Sequence, residues 1–177
     1  MIFSIGYERL PLHQLILIAK SLDAIIYDVR SKPQSHNTIY NRSNLVASLP
    51  GRYMWLGETL GGFGVITDDN IDTLAREANG IKVGGIISGH FTNIILLCTE
   101  RAPGRCHRFA NIGKRLLADY QVDVAHIFAD EVVLQSELEL SFRDNNDYIC
   151  YDLGDVLDGS VFSGLDSVAC TPELAGV

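Results

Sequence analysis

Side chains that could do chemistry concentrate between residues 98 and 108. This stretch holds two thiols, a carboxylate, an imidazole and three guanidinium groups: Cys98, Glu100, Arg101, Arg105, Cys106, His107 and Arg108. A thiol beside cations at a helix start has a lowered pKa, and the same surroundings bind anions. The stretch therefore predicts either thiol chemistry at Cys106, or an anion site served by Glu100 and His107. The plainer interpretation of Cys106 is a small buried residue.

A second pair of reactive side chains follows another apolar run. Asp28 and Arg30 stand two residues apart, so their side chains can point the same way on an extended chain. They predict either an acid–base carboxylate beside an anion clamp or a structural ion pair. Glu8, which follows the first apolar run, is either a further acid–base carboxylate or a helix N-terminal acid.

Apolar runs predict the strands that would position these groups. The runs are Ile2–Ile5, Ala24–Tyr27, Arg52–Leu56, Ile94–Leu97 and Val122–Phe128. Segments with helical spacing separate them, and this alternation predicts an α/β fold. The expected architecture is a mostly parallel central sheet of about five strands with helices on both faces. Because carboxyl ends of parallel strands share one edge, we expect the polar clusters to meet there.

The end of the chain looks different from the rest. Residues 1–130 carry 13 basic and 12 acidic side chains, whereas residues 131–177 carry Arg143 against 10 acids. Val132–Leu140 predicts a last helix, and no firm structure is predicted from Asn145 onward. We therefore expect an α/β domain over residues 1–143 and an acidic tail over 144–177. The tail is either a solvated segment or one that contacts basic groups and competes with nucleic acid.

Several classes of protein are disfavoured. The apolar stretches are far shorter than the ~20 residues of a membrane span, and no signal peptide precedes the first strand. These features predict a cytoplasmic protein with no membrane partner and with its four cysteines reduced. The cysteine spacing fits no common zinc site, so no metal is expected. No dinucleotide or Walker motif occurs either, so no cofactor is expected.

Four motifs in order resemble a bacterial and archaeal family of uncharacterised function, domain of unknown function 488. They are the stretches Ser4–Glu8, Asp28–Pro33, Trp55–Gly62 and Leu96–Arg108, and the resemblance covers roughly residues 1–140. The resemblance implies an α/β fold with a site at these motifs. It implies no established reaction.

A weaker similarity concerns rhodanese-like sulfurtransferases and their cysteine phosphatase relatives. A strand ending in Asp-Val-Arg and a later strand ending in cysteine resemble theirs. Those proteins cradle an anion in a Cys-Xaa5-Arg loop. Here Gly104 stands six residues after Cys98, and Ile112 six after Cys106, so the loop pattern is absent. This absence disfavours a cysteine phosphatase.

The leading hypothesis is an enzyme that acts on a nucleotide or nucleic-acid component by hydrolysis or group transfer. Its predicted catalytic residues are Glu100, Asp28, Cys106, His107 and Glu8. Its predicted substrate-binding residues are Arg30, Ser31, Arg105, Arg108, Tyr7, Gly6, Glu58 and Cys98. Two alternatives stay open: cysteine-dependent sulfur or acyl transfer, and a non-catalytic module that binds a phosphate-bearing ligand or nucleic acid.

Overall fold

The computed structural model describes residues 1–62, 65–79, 91–128, 130–144, 148–158 and 168–170. Its strands are β1 (Ile2–Gly6), β2 (Ala24–Asp28), β3 (Tyr53–Trp55), β4 (Asn93–Cys98), β5 (Val124–Phe128), β6 (Glu131–Leu134), β7 (Tyr148–Asp152) and β8 (Val168–Cys170). They pair in the order β3-β2-β4-β1-β5-β6-β7-β8. The first five strands pair parallel with one another, whereas the pairs β5–β6, β6–β7 and β7–β8 are antiparallel, so the sheet is mixed.

Helices lie between most successive strands. They are α1 (Leu12–Ser21), α2 (Arg42–Ser48), α3 (Gly57–Leu60), α4 (Asp68–Ala78), α5 (Lys114–Tyr120), α6 (Gln135–Asp144) and α7 (Leu153–Asp158). Two short 3₁₀ turns span Thr38–Tyr40 and Pro103–Arg105, and a π-helical segment over Arg108–Gly113 leads into α5. Within the described ranges, no helix is long and apolar enough to cross a membrane.

The parallel strands are buried on both faces, as their continuous apolar runs predict. Side chains of β1, β2, β4 and β5 alternate between two apolar cores. One core receives α1, α2 and α7, and the other receives α3, α4 and α5. Helices therefore cover both faces of the sheet, and the α/β prediction is confirmed.

The register of the parallel strands places their carboxyl ends at one edge. Gly6 at the end of β1 lies opposite Cys98 at the end of β4. Asp28 at the end of β2 lies opposite Leu97 on one side and Trp55 on the other. The polar residues that follow β1, β2 and β4 consequently begin side by side.

The C-terminal part of the sheet corrects the sequence-based expectation. The predicted helix over Val132–Leu140 is wrong at its start, because residues through Leu134 form β6 and the helix begins at Gln135. Val132 and Val133 are buried and pair with β5, which would otherwise leave an open edge. β-branched residues fit such a half-buried surface better than a helix.

The acidic segment also has structure that the sequence did not predict. β7 pairs with β6, and Val156 of α7 joins the core beneath α1. Cys150 in β7 is disulfide-bonded, so the expectation of four reduced cysteines is wrong for this residue. The domain boundary after residue 143 stays a prediction.

Candidate functional site

A cluster of reactive side chains forms where β4 ends and the π-helical segment begins. We call Cys98, Glu100, Cys106, His107 and Arg108 the dithiol cluster. The ligand atoms of Cys98, Cys106 and His107 all lie within 4.8 Å of one another. Both thiols are free and buried, with 4% of Cys98 and 3% of Cys106 exposed. Two sulfurs that are eight positions apart in the sequence therefore share one site.

Arg108 holds the sulfur of Cys106. Its Nε donates a hydrogen bond to Cys106 Sγ at 3.2 Å. Its Nη1 donates to Ser4 Oγ at 3.2 Å, and its Nη2 donates to the Glu100 carbonyl at 2.5 Å. Only 1% of the residue is exposed. Because all three nitrogens point at fixed acceptors, this guanidinium is held firmly against the sulfur.

The two thiols have opposite proton affinities. The Cys98 thiol donates to Glu100 Oε2 at 3.1 Å. Its hydrogen bond with Cys106, together with burial, raises the pKa of Cys98. The same hydrogen bond lowers the pKa of Cys106, with His107 and Arg108 adding to the effect against the opposing effect of burial. These opposite pKa shifts favour the thiol form of Cys98 and the thiolate form of Cys106.

His107 presents a defined nitrogen to this cluster. Its Nε2 donates to the Val29 carbonyl at 2.9 Å, because a carbonyl oxygen can only accept. Its Nδ1 lies 3.8 Å from Cys106 Sγ. Burial lowers the pKa of His107, but the hydrogen bond with Cys106 and the Val29 carbonyl raise it, and the net change is upward.

Gly6 allows the loop after β4 to approach β1. A Cβ at this position would collide with the main-chain oxygen of Glu100. The main-chain amides of Tyr7 and Glu8 extend the strand pairing by donating to the carbonyls of Cys98 and Thr99. Gly6 thus positions Glu100, and with it the carboxylate beside Cys98.

A buried hydrogen-bond relay supports Arg108 from the far side. Ser4 Oγ lies 2.6 Å from His126 Nδ1, and His126 Nε2 lies 2.8 Å from Gln135 Oε1. Gln135 donates its amide protons to Phe109 and Glu139, so its oxygen accepts from His126. His126 Nδ1 must then accept from Ser4. Burial, opposed by the hydrogen bond with Gln135, lowers the pKa of His126 to about 4.

The sequence did not reveal this relay. Ser4 and Gln135 are ordinary residues in their segments, and His126 lies within the apolar run Val122–Phe128. None of His126 is exposed. The signal that could have found it is a polar side chain at a buried strand position, which needs a partner.

Asp28 and Arg30 form a separate buried ion pair. Arg30 Nε and Nη2 donate to the two Asp28 oxygens at 2.7 Å and 2.5 Å. Tyr53 donates to Asp28 at 2.6 Å, and Arg30 also donates to the Tyr40 carbonyl at 2.9 Å. The aromatic ring of Tyr7 lies 5.1 Å from the guanidinium carbon of Arg30. Of the two interpretations that the sequence allows for Asp28 and Arg30, these contacts match the structural ion pair and not the anion clamp.

A cavity of about 680 Å³ opens at the same edge of the sheet. Its lining includes Tyr7, Glu8, Arg9, Lys32 and Thr99, and no residue of the dithiol cluster lines it. Thr99, which follows Cys98, is its link to the cluster, and the cationic side chains of Arg9 and Lys32 border it together with the carboxylate of Glu8. Such a space suits an anionic small molecule.

The remaining predicted site residues lie outside the dithiol cluster. Ser31 and Arg105 are exposed, and Glu58 is exposed in the first turn of α3. Glu8 is exposed, and its carboxylate accepts from the main-chain amide of Arg101 at 3.4 Å. Their assignment to catalysis or substrate binding stays a prediction.

Comparisons with protein-family models, with curated proteins and with solved structures each find no match. The chain is defined by its own fold and site: it is an α/β protein with a buried dithiol cluster at the carboxyl edge of its parallel strands. The resemblance to the domain of unknown function 488 stays a prediction.

Proposed function

We propose that the chain is a cysteine-dependent transferase that carries sulfur on Cys106. One observation carries the proposal: a fully buried guanidinium, that of Arg108, donates to Cys106 Sγ at 3.2 Å. Arginine does not lose its proton in proteins, so its charge must be compensated where it is buried. Among the ion pairs of the described ranges, Arg108 has no carboxylate partner. A thiolate at Cys106 supplies the missing negative charge.

The chemistry needs only groups that are already in place. The Cys106 thiolate attacks the outer sulfur of an anionic sulfane-sulfur donor such as thiosulfate. A sulfur–sulfur bond forms on Cys106, the donor's sulfur–sulfur bond breaks, and sulfite leaves with the electron pair. An acceptor thiolate then attacks the outer sulfur of the persulfide, and Cys106 leaves as a thiolate. Arg108, which donates to Cys106 Sγ, stabilises that charge before and after each turnover.

The surroundings support a small anionic donor. Both sulfurs are buried, so a bulky substrate cannot contact them without displacing the loop over residues 99–105. The adjacent cavity carries Arg9 and Lys32, which attract an anion. The family of rhodanese-like enzymes, which the sequence resembles weakly, uses this class of donor.

Sulfur loading tests the proposal directly. The full chain, kept in a chelator, is incubated with thiosulfate and examined by intact-mass spectrometry, while sulfite release is followed with dithiothreitol as acceptor. We expect the wild type to gain one sulfur atom, Cys106→Ser to gain none, and Cys98→Ser to gain one. Turnover by Cys106→Ser at the wild-type rate would refute the proposal, as would a wild type that neither loads sulfur nor releases sulfite.

Action of carboxylates on a nucleotide is the less supported alternative. Arg30 and Arg108, two of its three phosphate ligands, donate to buried partners within the protein. Asp28 already accepts from Arg30 and Tyr53. These groups would have to break their present hydrogen bonds to meet a substrate, which costs about 1–3 kcal/mol for each buried group left unpaired.

A further inference from the structure

We infer that Cys98, Cys106 and His107 bind a thiophilic divalent cation of the zinc class. The sequence argued against zinc because no Cys-Xaa2-Cys pair is present. The fold removes that objection, since the end of β4 and the start of the π-helical segment bring the ligands together. The inference needs only this geometry and goes beyond sulfur transfer.

The spacing of the donor atoms suits a tetrahedral ion. Zinc–sulfur bonds are about 2.3 Å and zinc–nitrogen bonds about 2.0–2.1 Å, so a tetrahedral ion holds sulfur and nitrogen about 3.6 Å apart. Cys106 Sγ and His107 Nδ1 are separated by 3.8 Å. The three ligand atoms lie within 4.8 Å of one another, so small rotations of the side chains complete the geometry.

His107 is oriented as a metal ligand. Histidine ligands almost always donate their second ring nitrogen to a carbonyl or carboxylate, which fixes the ring and its tautomer. His107 Nε2 donates to the Val29 carbonyl at 2.9 Å, which leaves Nδ1 facing the sulfurs. Arg108 Nε, at 3.2 Å from Cys106 Sγ, supplies the same kind of outer support to a thiolate ligand.

The charges of the cluster also balance around a divalent ion. Two thiolates and the Glu100 carboxylate carry three negative charges, and Arg108 with the ion carries three positive charges. Glu100 Oε2 lies 3.1 Å from Cys98 Sγ, so its charge stands beside the ligands, and the fourth position on the ion is left to solvent. On binding, the Cys98 sulfur releases its proton to solvent and bonds to the ion instead.

The metal-bound and sulfur-carrying states exclude each other on one molecule. A thiolate bonded to the ion shares its negative charge with the metal and is therefore a much weaker nucleophile toward a donor. Metal binding would therefore silence transfer, and removal of the ion would restore it. The two proposals can still fail separately, because metal binding needs Cys98 and His107 and sulfur loading needs Cys106 alone.

Cobalt binding provides the test, because Co²⁺ reports its own ligands. The metal-free full chain is titrated with Co²⁺ and then with Zn²⁺ in the presence of a competing chelator. We expect one Co²⁺ per chain, a thiolate-to-cobalt charge-transfer band, the absorption of a tetrahedral site, and displacement by Zn²⁺. Cys98→Ser and His107→Gln should each weaken binding by more than about tenfold. The matched control, His13→Gln, changes an exposed histidine of α1 and should leave binding unaltered.

A measurement on the wild type covers the case in which a variant does not fold. Zn²⁺ should protect Cys98 and Cys106 together from alkylation, as mapped by peptide mass spectrometry. The inference is overturned if no charge-transfer band forms, if Zn²⁺ leaves alkylation of both cysteines unchanged, or if the folded Cys98→Ser and His107→Gln variants bind like the wild type. Failure of sulfur loading in chelator, with cobalt binding intact, would refute the transferase and leave the metal site standing.

Discussion

Protonation of His126 should set the acid stability of this fold. None of His126 is exposed, and its pKa falls from 6.5 to about 4 in the folded chain. The relay explains the direction: His126 donates from Nε2 to Gln135 and must accept at Nδ1 from Ser4, so a second ring proton has no acceptor. The guanidinium of Arg108 adds repulsion.

The sign and size of the effect follow from linkage. The unfolded chain binds the proton near pH 6.5, whereas the folded chain resists it until about pH 4. Stability from the neutral imidazole is therefore fully present above about pH 6.5 and is lost as the pH falls toward 4. A pKa difference of this size corresponds to about 3 kcal/mol, since each pH unit of difference is worth ~1.4 kcal/mol.

Urea unfolding of the wild type and of His126→Gln across that pH range measures the effect. At neutral pH the free energy of unfolding of the variant should be lower by ~1–3 kcal/mol, because hydrogen bonds of His126 are lost. Since glutamine does not titrate, the stability of the variant should fall less on acidification. The gap between the two proteins should close by about 3 kcal/mol. His13→Gln, at an exposed position of α1, is the control and should keep a constant gap. Parallel curves for the wild type and His126→Gln would contradict the assigned tautomer and the burial argument.

Two further substitutions test the edge of the sheet, each by denaturant unfolding. Gly6→Ala should cost about 1–3 kcal/mol and lower sulfur loading, because its Cβ collides with the loop after β4. Gly51→Ala is the control: its Cβ meets no atom, and its positive φ of 72° should cost only about 1 kcal/mol and leave sulfur loading intact. Equal effects of the two glycine substitutions on sulfur loading would refute the collision argument. Asp28→Asn should cost about 3–5 kcal/mol because it strands the buried charge of Arg30, whereas Asp72→Asn in a surface pair should cost under about 1 kcal/mol. Similar costs for these last two would contradict the burial argument.

The parallel half of the fold could be predicted because each signal was local. Apolar runs such as Ile94–Leu97 ended at polar residues, and helical spacing followed them. β6 was missed because Val132–Leu134 is short and runs directly into helix α6, so one apolar pattern spans both. Its strand identity comes from pairing with β5, which is a tertiary contact that periodicity does not encode.

The candidate site was predictable only in part, for a related reason. The sequence places Cys98, Cys106 and His107 in one short stretch, but whether the two sulfurs meet depends on the path of the loop over residues 99–105, which the sequence left open. The choice between ion pair and clamp for Asp28 and Arg30 depended on burial, which the sequence left open. The contact of Ser4 with His126 joins residues 122 positions apart, and only the alignment of β1 with β5 creates it.

Arg108 connects the alternatives that the sequence left open. The sequence supported an anion clamp because a guanidinium at a helix start attracts negative charge. In the fold that guanidinium is buried and faces a sulfur, so the anion it attracts is part of the protein. A neutral thiol would leave the charge uncompensated, whereas a thiolate, free or bonded to a metal ion, compensates it. Arg108→Met, which keeps much of the apolar volume, should therefore slow alkylation of Cys106 and weaken cobalt binding. Faster alkylation in Arg108→Met would show that the arginine shields the sulfur instead of stabilising its charge.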